Sequence, residues 1–219
     1  MKNILLFSTG LSPQVVTESL YFHTQVKKIK VDAIHIITDN TGVKLLDNLF
    51  FWYKKFIKEY KIANKIDFTK KNINILKAKN NQPLDDLKTI DDNDAATEQI
   101  FKIIEKLTNI KDSKLIVSVA GGRKSMSVIV GQALQFYARE HDQLTHVIVD
   151  DHIVGCPDFY YPTKKAKTIS YKNKKFNTKK VKIYLDEIPF IKLRNITKSI
   201  IPNKNQSFTS LINIAQNTI

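Results

Sequence analysis

The chain has 219 residues, 42% of them hydrophobic and 26% charged, a balance ordinary for one large globular domain or a domain with a small appendage. No apolar stretch approaches the roughly 18–20 residues of a membrane span, Met1–Phe7 runs straight into a strand pattern rather than a signal peptide, and the single cysteine, Cys156, excludes internal disulfides and fits a cytoplasmic setting. The net charge of +14 suggests an anionic partner, although nearly all of it is lysine in an Asn- and Ile-rich chain, a composition that coding bias also produces.

The first 150 residues alternate short apolar runs with longer amphipathic ones. Asn3–Ser8 reads as a strand buried on both faces. A helix follows from Pro13 to about Lys27, with Ser12 at the N-cap and Pro13 at the first helical position. Ala33–Thr38 is the second strand and Val43–Tyr60 a long helix carrying a mostly aromatic run. Ile73–Ala78 is the third strand. In the helix Asp91–Leu107, Ile100, Ile103, Ile104 and Leu107 share a face. Leu115–Ala120, the helix Ser125–Glu140 and the strand Thr145–Val149 complete the alternation. Five strands and four helices in this order specify a Rossmann-like α/β fold, a parallel sheet sandwiched by helices. After Asp150 the pattern changes. Lys167–Tyr171 and Lys180–Ile188 read as a two-stranded ribbon and Ser207–Asn217 as a closing helix. Residues 1–150 are therefore expected to form the ligand-binding domain, and residues 151–219 a β-ribbon and helix appendage packed on it.

Ligands of open α/β sheets bind beyond the carboxyl ends of the strands. Two loops there carry suitable groups. In Ser8-Thr9-Gly10-Leu11-Ser12-Pro13-Gln14, a glycine turn, hydroxyls and helix amides offer hydrogen bonds to a phosphate, or mark a plain helix start. In Gly121-Gly122-Arg123-Lys124-Ser125, two glycines admit a close ligand. Two cations there occupy a helix N-terminus, where they oppose the dipole, a conflict expected where function overrides folding preference. A third loop, Asp39-Asn40-Thr41-Gly42, reads equally as a ribose or base contact and as a turn with a helix cap. Neither glycine loop matches the dinucleotide or Walker patterns. Phe50, Phe51, Trp52, Tyr53 and Phe56 read as core or interface. The segment Pro157–Pro162 reads as a lid or a packed crossover. No His or Cys stands at ligand spacing, so neither a metal nor a cofactor is called for; His141, His146 and His152 are read as structural, and Cys156, with no histidine base in a neighbouring element, is not expected to be a nucleophile.

The stretches STGLSPQVVTESL and SVAGGRKSM, followed by PDFYYP and EIPFIKLR, resemble the ligand loops and later blocks of CARF domains, the CRISPR-associated Rossmann fold of type III CRISPR defence. They are most similar to a CARF family that includes ring nucleases. The resemblance extends to about residue 194. It implies a homodimer binding a cyclic oligoadenylate, a tetra- or hexa-adenylate, across its two-fold axis. Thr9, Gly10, Gln14, Asn40, Thr41, Gly121, Gly122, Arg123 and Ser125 would hold the ring. Arg139 and His146 fit an R-x(4–6)-H ribonuclease spacing, but they belong to a helix end and a strand of the sheet domain.

Two functions follow from the resemblance. In the first, the protein is a metal-independent ring nuclease. A ribose 2′-OH of the ligand attacks its own 3′-phosphate, Lys124 stabilises charge and Ser12 positions the hydroxyl or phosphate, which switches the signal off. In the second, the protein is a non-catalytic sensor whose lysine-rich segment 164–180 contacts nucleic acid or a partner protein.

Overall fold

Lys2–Ser8 (β1) is the central strand, and its sequence shows why: Ile4, Leu5, Leu6 and Phe7 are each at most 4% exposed, so both faces of the strand are covered. The computed structural model describes residues 1–150, 152–196 and 207–218. The remaining strands are β2 (Ala33–Thr38), β3 (Ile73–Ile75), β4 (Ser113–Ser118), β5 (Gln143–Val149), β6 (Thr168–Tyr171), β7 (Lys174–Asn177) and β8 (Ile183–Ile188). Six of them form one sheet in the order β3-β2-β1-β4-β5-β8. The first five pair in parallel, and β8 returns antiparallel to β5. This mixed, mostly parallel sheet between helices is the Rossmann-like α/β architecture that the sequence predicts.

Side-chain alternation along β1 assigns the layers. Leu5 and Phe7 join the core under α1 (Gln14–Tyr21) and the long helix α3 (Leu46–Tyr60), through Val16, Leu20, Leu49 and Phe56. Ile4 and Leu6 point the other way, into the core under α4 (Ile90–Thr108) and α5 (Lys124–Tyr137), through Ile100, Ile104, Val130 and Ala133. α4 starts at a full capping box, Thr89 with Asp92. The final helix, α6 (Phe208–Thr218), lies on α4, with the rings of Phe208 and Phe101 4.5 Å apart.

The structure corrects several boundaries. Val43–Tyr60 is not one helix: a short turn of helix, Asn40–Val43 (α2), precedes α3 and is separated from it at Lys44–Leu45. The third strand stops at Ile75, although the chain continues beside β2 through Leu76 N, which donates to Thr38 O at 2.8 Å. The ribbon is also different. β6 pairs with β7, not with Lys180–Ile188, and the alternating Ile183–Ile188 becomes the sixth strand of the main sheet. A buried strand edge at β5 offers a row of unpaired amides and carbonyls, and pairing with β8 satisfies them. The two edges of the sheet are then β3, three residues long, and β8, which exposes Asp186 and Glu187.

The aromatic run of α3 is packing. Trp52 stacks on Tyr160 at 5.0 Å and 11°, Phe50 and Tyr53 lie against Phe68, and Phe56 is fully buried between Tyr60 and Tyr161, while Phe51 stays half-exposed. The segment Pro157–Pro162 is accordingly a packed crossover and not a lid. Phe159, Tyr160 and Tyr161 are each 2% exposed, Thr17 Oγ1 donates to Tyr160 O at 2.6 Å, and Tyr60 OH donates to Pro162 O at 2.5 Å. Arg194 closes the helical layer opposite, donating to the C-terminal carbonyls of Thr108 on α4 and Tyr137 on α5. Among the described residues no helix is long and apolar enough to cross a membrane. Phe56→Ala is expected to cost about 3–5 kcal/mol, the range for a truncated core aromatic, read as a lowered denaturation midpoint with an unchanged slope.

Candidate functional site

Strand order reverses between β1 and β4. The helix after β1 lies on one face of the sheet and the helix after β4 on the other, so their loops diverge and leave a crevice, the usual ligand position in such sheets. Phe7 pairs with Ser118, which brings both loops out at the same level.

The loops touch through glycine backbone. A Cβ built on Gly10 would stand 3.5 Å from Gly122 Cα, and one on Gly121 would stand 2.8 Å from Ser8 O and 3.4 Å from Thr9 Cα. Gly122 has φ +72°, a left-handed conformation that other residues adopt at a cost. Gly10 does not have positive φ, so the tight turn expected of it is not formed, and its contact with Gly122 is an ordinary van der Waals one. The loop from β2 joins them, since Gly42 would bring a Cβ within 3.3 Å of Gly10 Cα. Ser8 and Thr9 are buried, and the Ser8 hydroxyl, beneath Gly122, has no hydrogen-bond partner among the described residues.

Both helices that start at the crevice lack side-chain caps. The cap position of α1 is Pro13, one residue later than the sequence predicts, so Ser12 is not the N-cap; it stands exposed in the loop. The cap of α5 is Arg123, whose side chain makes no capping bond either. Helix N-termini left this way carry partial positive charge and free amides, a setting for an anion.

The two cations of the second loop differ. Arg123 spends its guanidinium on Asp86, with Nε donating to Oδ1 at 2.6 Å and Nη2 to Oδ2, and this hydrogen bonding holds the Asp86 carboxyl below its ordinary range. Lys124, the first residue of α5, is exposed and has no such partner among the described residues. Ser125 and Gln14 are half-buried beside it and at the start of α1. The side chains of Asn40 and Thr41 turn away to the segment before α4: Asn40 Nδ2 donates to Asp85 Oδ1 at 2.7 Å and Thr41 Oγ1 to Asp85 O at 2.6 Å. Asp39, buried behind them, accepts from Gly42 N at 2.7 Å, and desolvation pushes its carboxyl up.

One residue that the sequence reading passed over stands out. Beside the crevice, between α1, the carboxyl end of β5 and residues 153–156, lies a cavity of about 300 Å³. Ser12, Gln14, Val15, Glu18, Ala120, His146, Val147, Val149, Ile153 and Cys156 are among its lining residues. Glu18 is 8% exposed, and its carboxyl has no hydrogen-bond or ion-pair partner among the described residues. Burial alone pushes its pKa to about 8. The available signal was helical spacing. Glu18 falls one turn after Gln14, so a carboxylate in the otherwise apolar and hydroxylic helix Gln14–Tyr21 faces the same way as a loop residue. His146 and Cys156 share the cavity without a hydrogen bond between them. Arg139 is committed to Asp142 and Ile110 O, at a helix end remote in role from His146. Among the described residues no cluster of His, Cys, Asp or Glu is placed to hold a metal.

Fold and site together define a Rossmann-like α/β protein with an anion-suited crevice at its topological switch point. It belongs to a CRISPR-associated family: the sequence model described as CRISPR-associated protein NE0113 matches residues 12–217, nearly the whole chain. No curated protein matches it.

The Glu18 carboxyl generates a stability prediction. In the unfolded chain it releases its proton near the ordinary 4.5, and in the folded protein only near 8. Between these values the native state binds more protons, so the stability this group permits is full below about pH 4.5 and is lost as pH rises towards 8. Glu18→Gln, a permanently neutral mimic, is expected to match the parent protein near pH 5 and to exceed it near pH 8.5 in urea denaturation. Identical pH profiles would remove the buried carboxyl as the cause.

Proposed function

We propose that this protein binds a cyclic oligoadenylate across the two crevices of a homodimer and cuts it to linear adenylates ending in 2′,3′-cyclic phosphates, ending a type III CRISPR signal. The observation that carries this reading is the contact of the two glycine loops beneath two uncapped helix starts, with Lys124 beside them and unpaired among the described residues. Membership of a CRISPR-associated family and the CARF-like loop sequences support it.

The chemistry lies mostly in the ligand. A ribose 2′-oxygen attacks the adjacent 3′-phosphorus and loses its proton, the P–O5′ bond breaks, and the departing 5′-oxygen takes up a proton. No electrons change hands. Charge builds on the non-bridging oxygens of the phosphorane-like transition state, where helix amides and the Lys124 ammonium stabilise it. Ser12 and Gln14, at the mouth of the crevice, orient the phosphate. Arg123, neutralised by Asp86, contributes less charge than its neighbour. A sensor function has one observation in its favour: the lysines at 164, 165, 167, 172, 174, 175, 179 and 180, on and around the β6–β7 ribbon, are all exposed.

Incubating the protein in EDTA with cyclic tetra-adenylate or cyclic hexa-adenylate is expected to yield linear products on chromatography. Lys124→Ala is expected to slow cleavage by about 10²-fold or more, as loss of a transition-state donor does, while retaining most ring binding; Arg123→Ala is expected to have a smaller effect. Rings bound but left intact would favour the sensor, and rings neither bound nor cut would end both readings.

A further inference from the structure

The cavity beside the crevice has a composition unlike that of a phosphate site. Val15, Val147, Val149 and Ile153 give it apolar walls, and Ser12 and Gln14 open it to the loop at the start of α1. Within those walls stands one carboxyl, Glu18, more than nine-tenths buried and without a hydrogen-bond or ion-pair partner among the described residues. Its volume of about 300 Å³ falls at the lower end of small-ligand sites, roughly 300–1,000 Å³. Apolar walls with a few polar groups that can hydrogen-bond a pairing edge are how proteins hold an unstacked base.

Resting on the function proposed above, we infer that this cavity receives an adenine of the ring and that the Glu18 carboxyl hydrogen-bonds its N1/N6 edge. A neutral carboxyl has one donor and one acceptor side by side. The O–H donates to adenine N1, and the C=O accepts from the N6 amino group. A carboxylate offers acceptors only and leaves N1 facing negative charge. Burial, by keeping the proton on Glu18 to about pH 8, maintains the form that fits. The base is thereby anchored one helical turn from Gln14 while its phosphate lies at the loop.

Other titratable groups face Glu18. His146 comes from β5, Cys156 from the 153–156 wall and Tyr160, whose hydroxyl Glu18 helps to push up in pKa, from the crossover, with Asp158 acting on that same hydroxyl. Within α1 no other residue is acidic or basic, and Ala120 is the only residue of the β4–α5 loop lining the cavity. A variant that changes only Glu18 separates its titration from theirs.

The test is ring binding by calorimetry from pH 6 to 9, using cyclic tetra-adenylate and cyclic hexa-adenylate with the parent protein, Glu18→Gln and Glu18→Ala, each checked for folding by circular dichroism. Gln keeps one donor and one acceptor, so Glu18→Gln is expected to bind with little change across the range. The parent is expected to weaken above about pH 8, and Glu18→Ala to bind about tenfold or more weakly throughout. Should Glu18→Gln weaken with pH as the parent does, or Glu18→Ala bind as tightly as the parent at pH 7, the base-reading role is overturned and the ring-binding function stands. If the parent binds neither ring at any pH, both are overturned.

Discussion

Gly121 has no room for a side chain. Its backbone lies against Ser8 O and Thr9 Cα, and two residues away Gly10 meets Gly122 Cα. That approach of two turns, from strands adjacent at the centre of the sheet, makes the crevice narrow and lined by main chain. Most of what distinguishes this end of the molecule depends on it. The register of β1 on β4 fixes the height of the turns, the opposite placement of α1 and α5 sends their helices apart, and the uncapped amides of both are left at one spot. A side chain at Gly121 would collide with Ser8 O and force the two loops to shift, whereas the Gly10–Gly122 approach is an ordinary van der Waals contact.

Charge at the crevice is divided rather than simply positive. Asp39, Asp85 and Asp86 gather on the side of β2 and the segment before α4, where Asp86 holds Arg123 and Asp85 holds Asn40 and Thr41. The opposite side, towards β5, is apolar apart from Ser12, Gln14, His146 and Glu18. Lys124, exposed at the start of α5, has no acidic partner among the described residues. An anion entering the crevice therefore meets cationic charge at Lys124 rather than at Arg123, which Asp86 neutralises. This asymmetry gives a direction to the proposed mode of binding, with phosphate at the loops and base towards β5.

The alternation of buried runs and amphipathic helices through residue 149 was legible because it depends on periodicity alone, and Ala33–Thr38 matches its strand to the residue. The second glycine loop stood out because two cations at a helix start oppose its dipole, whereas the first, with Ser12 and Pro13, read equally as a plain helix start. What was not legible depends on partners distant in the chain. Lys180–Ile188 alternates as any half-buried strand does, and nothing local tells it to pair with β5, over thirty residues earlier, rather than with its neighbour. Asn40 and Thr41 have the composition of a contact loop, but Asp85 claims them. The role of Glu18 depends on being enclosed by β5 and the 153–156 segment, which no helical wheel shows. Ser12 was displaced from the cap by a single residue, because Pro13, with φ −67° and ψ −14°, takes that position itself.

The ends of the sheet carry a further consequence. A parallel sheet has two flanks where strangers can add a strand, and this one is poorly suited to that on both. β3 offers only three residues of ladder, and β8 presents adjacent carboxylates, Asp186 and Glu187, to any incoming strand. Short and charged flanks are a common defence against runaway polymerisation. A short flank at β3 and a charged one at β8 thus leave little ladder for a further strand at either end of the sheet.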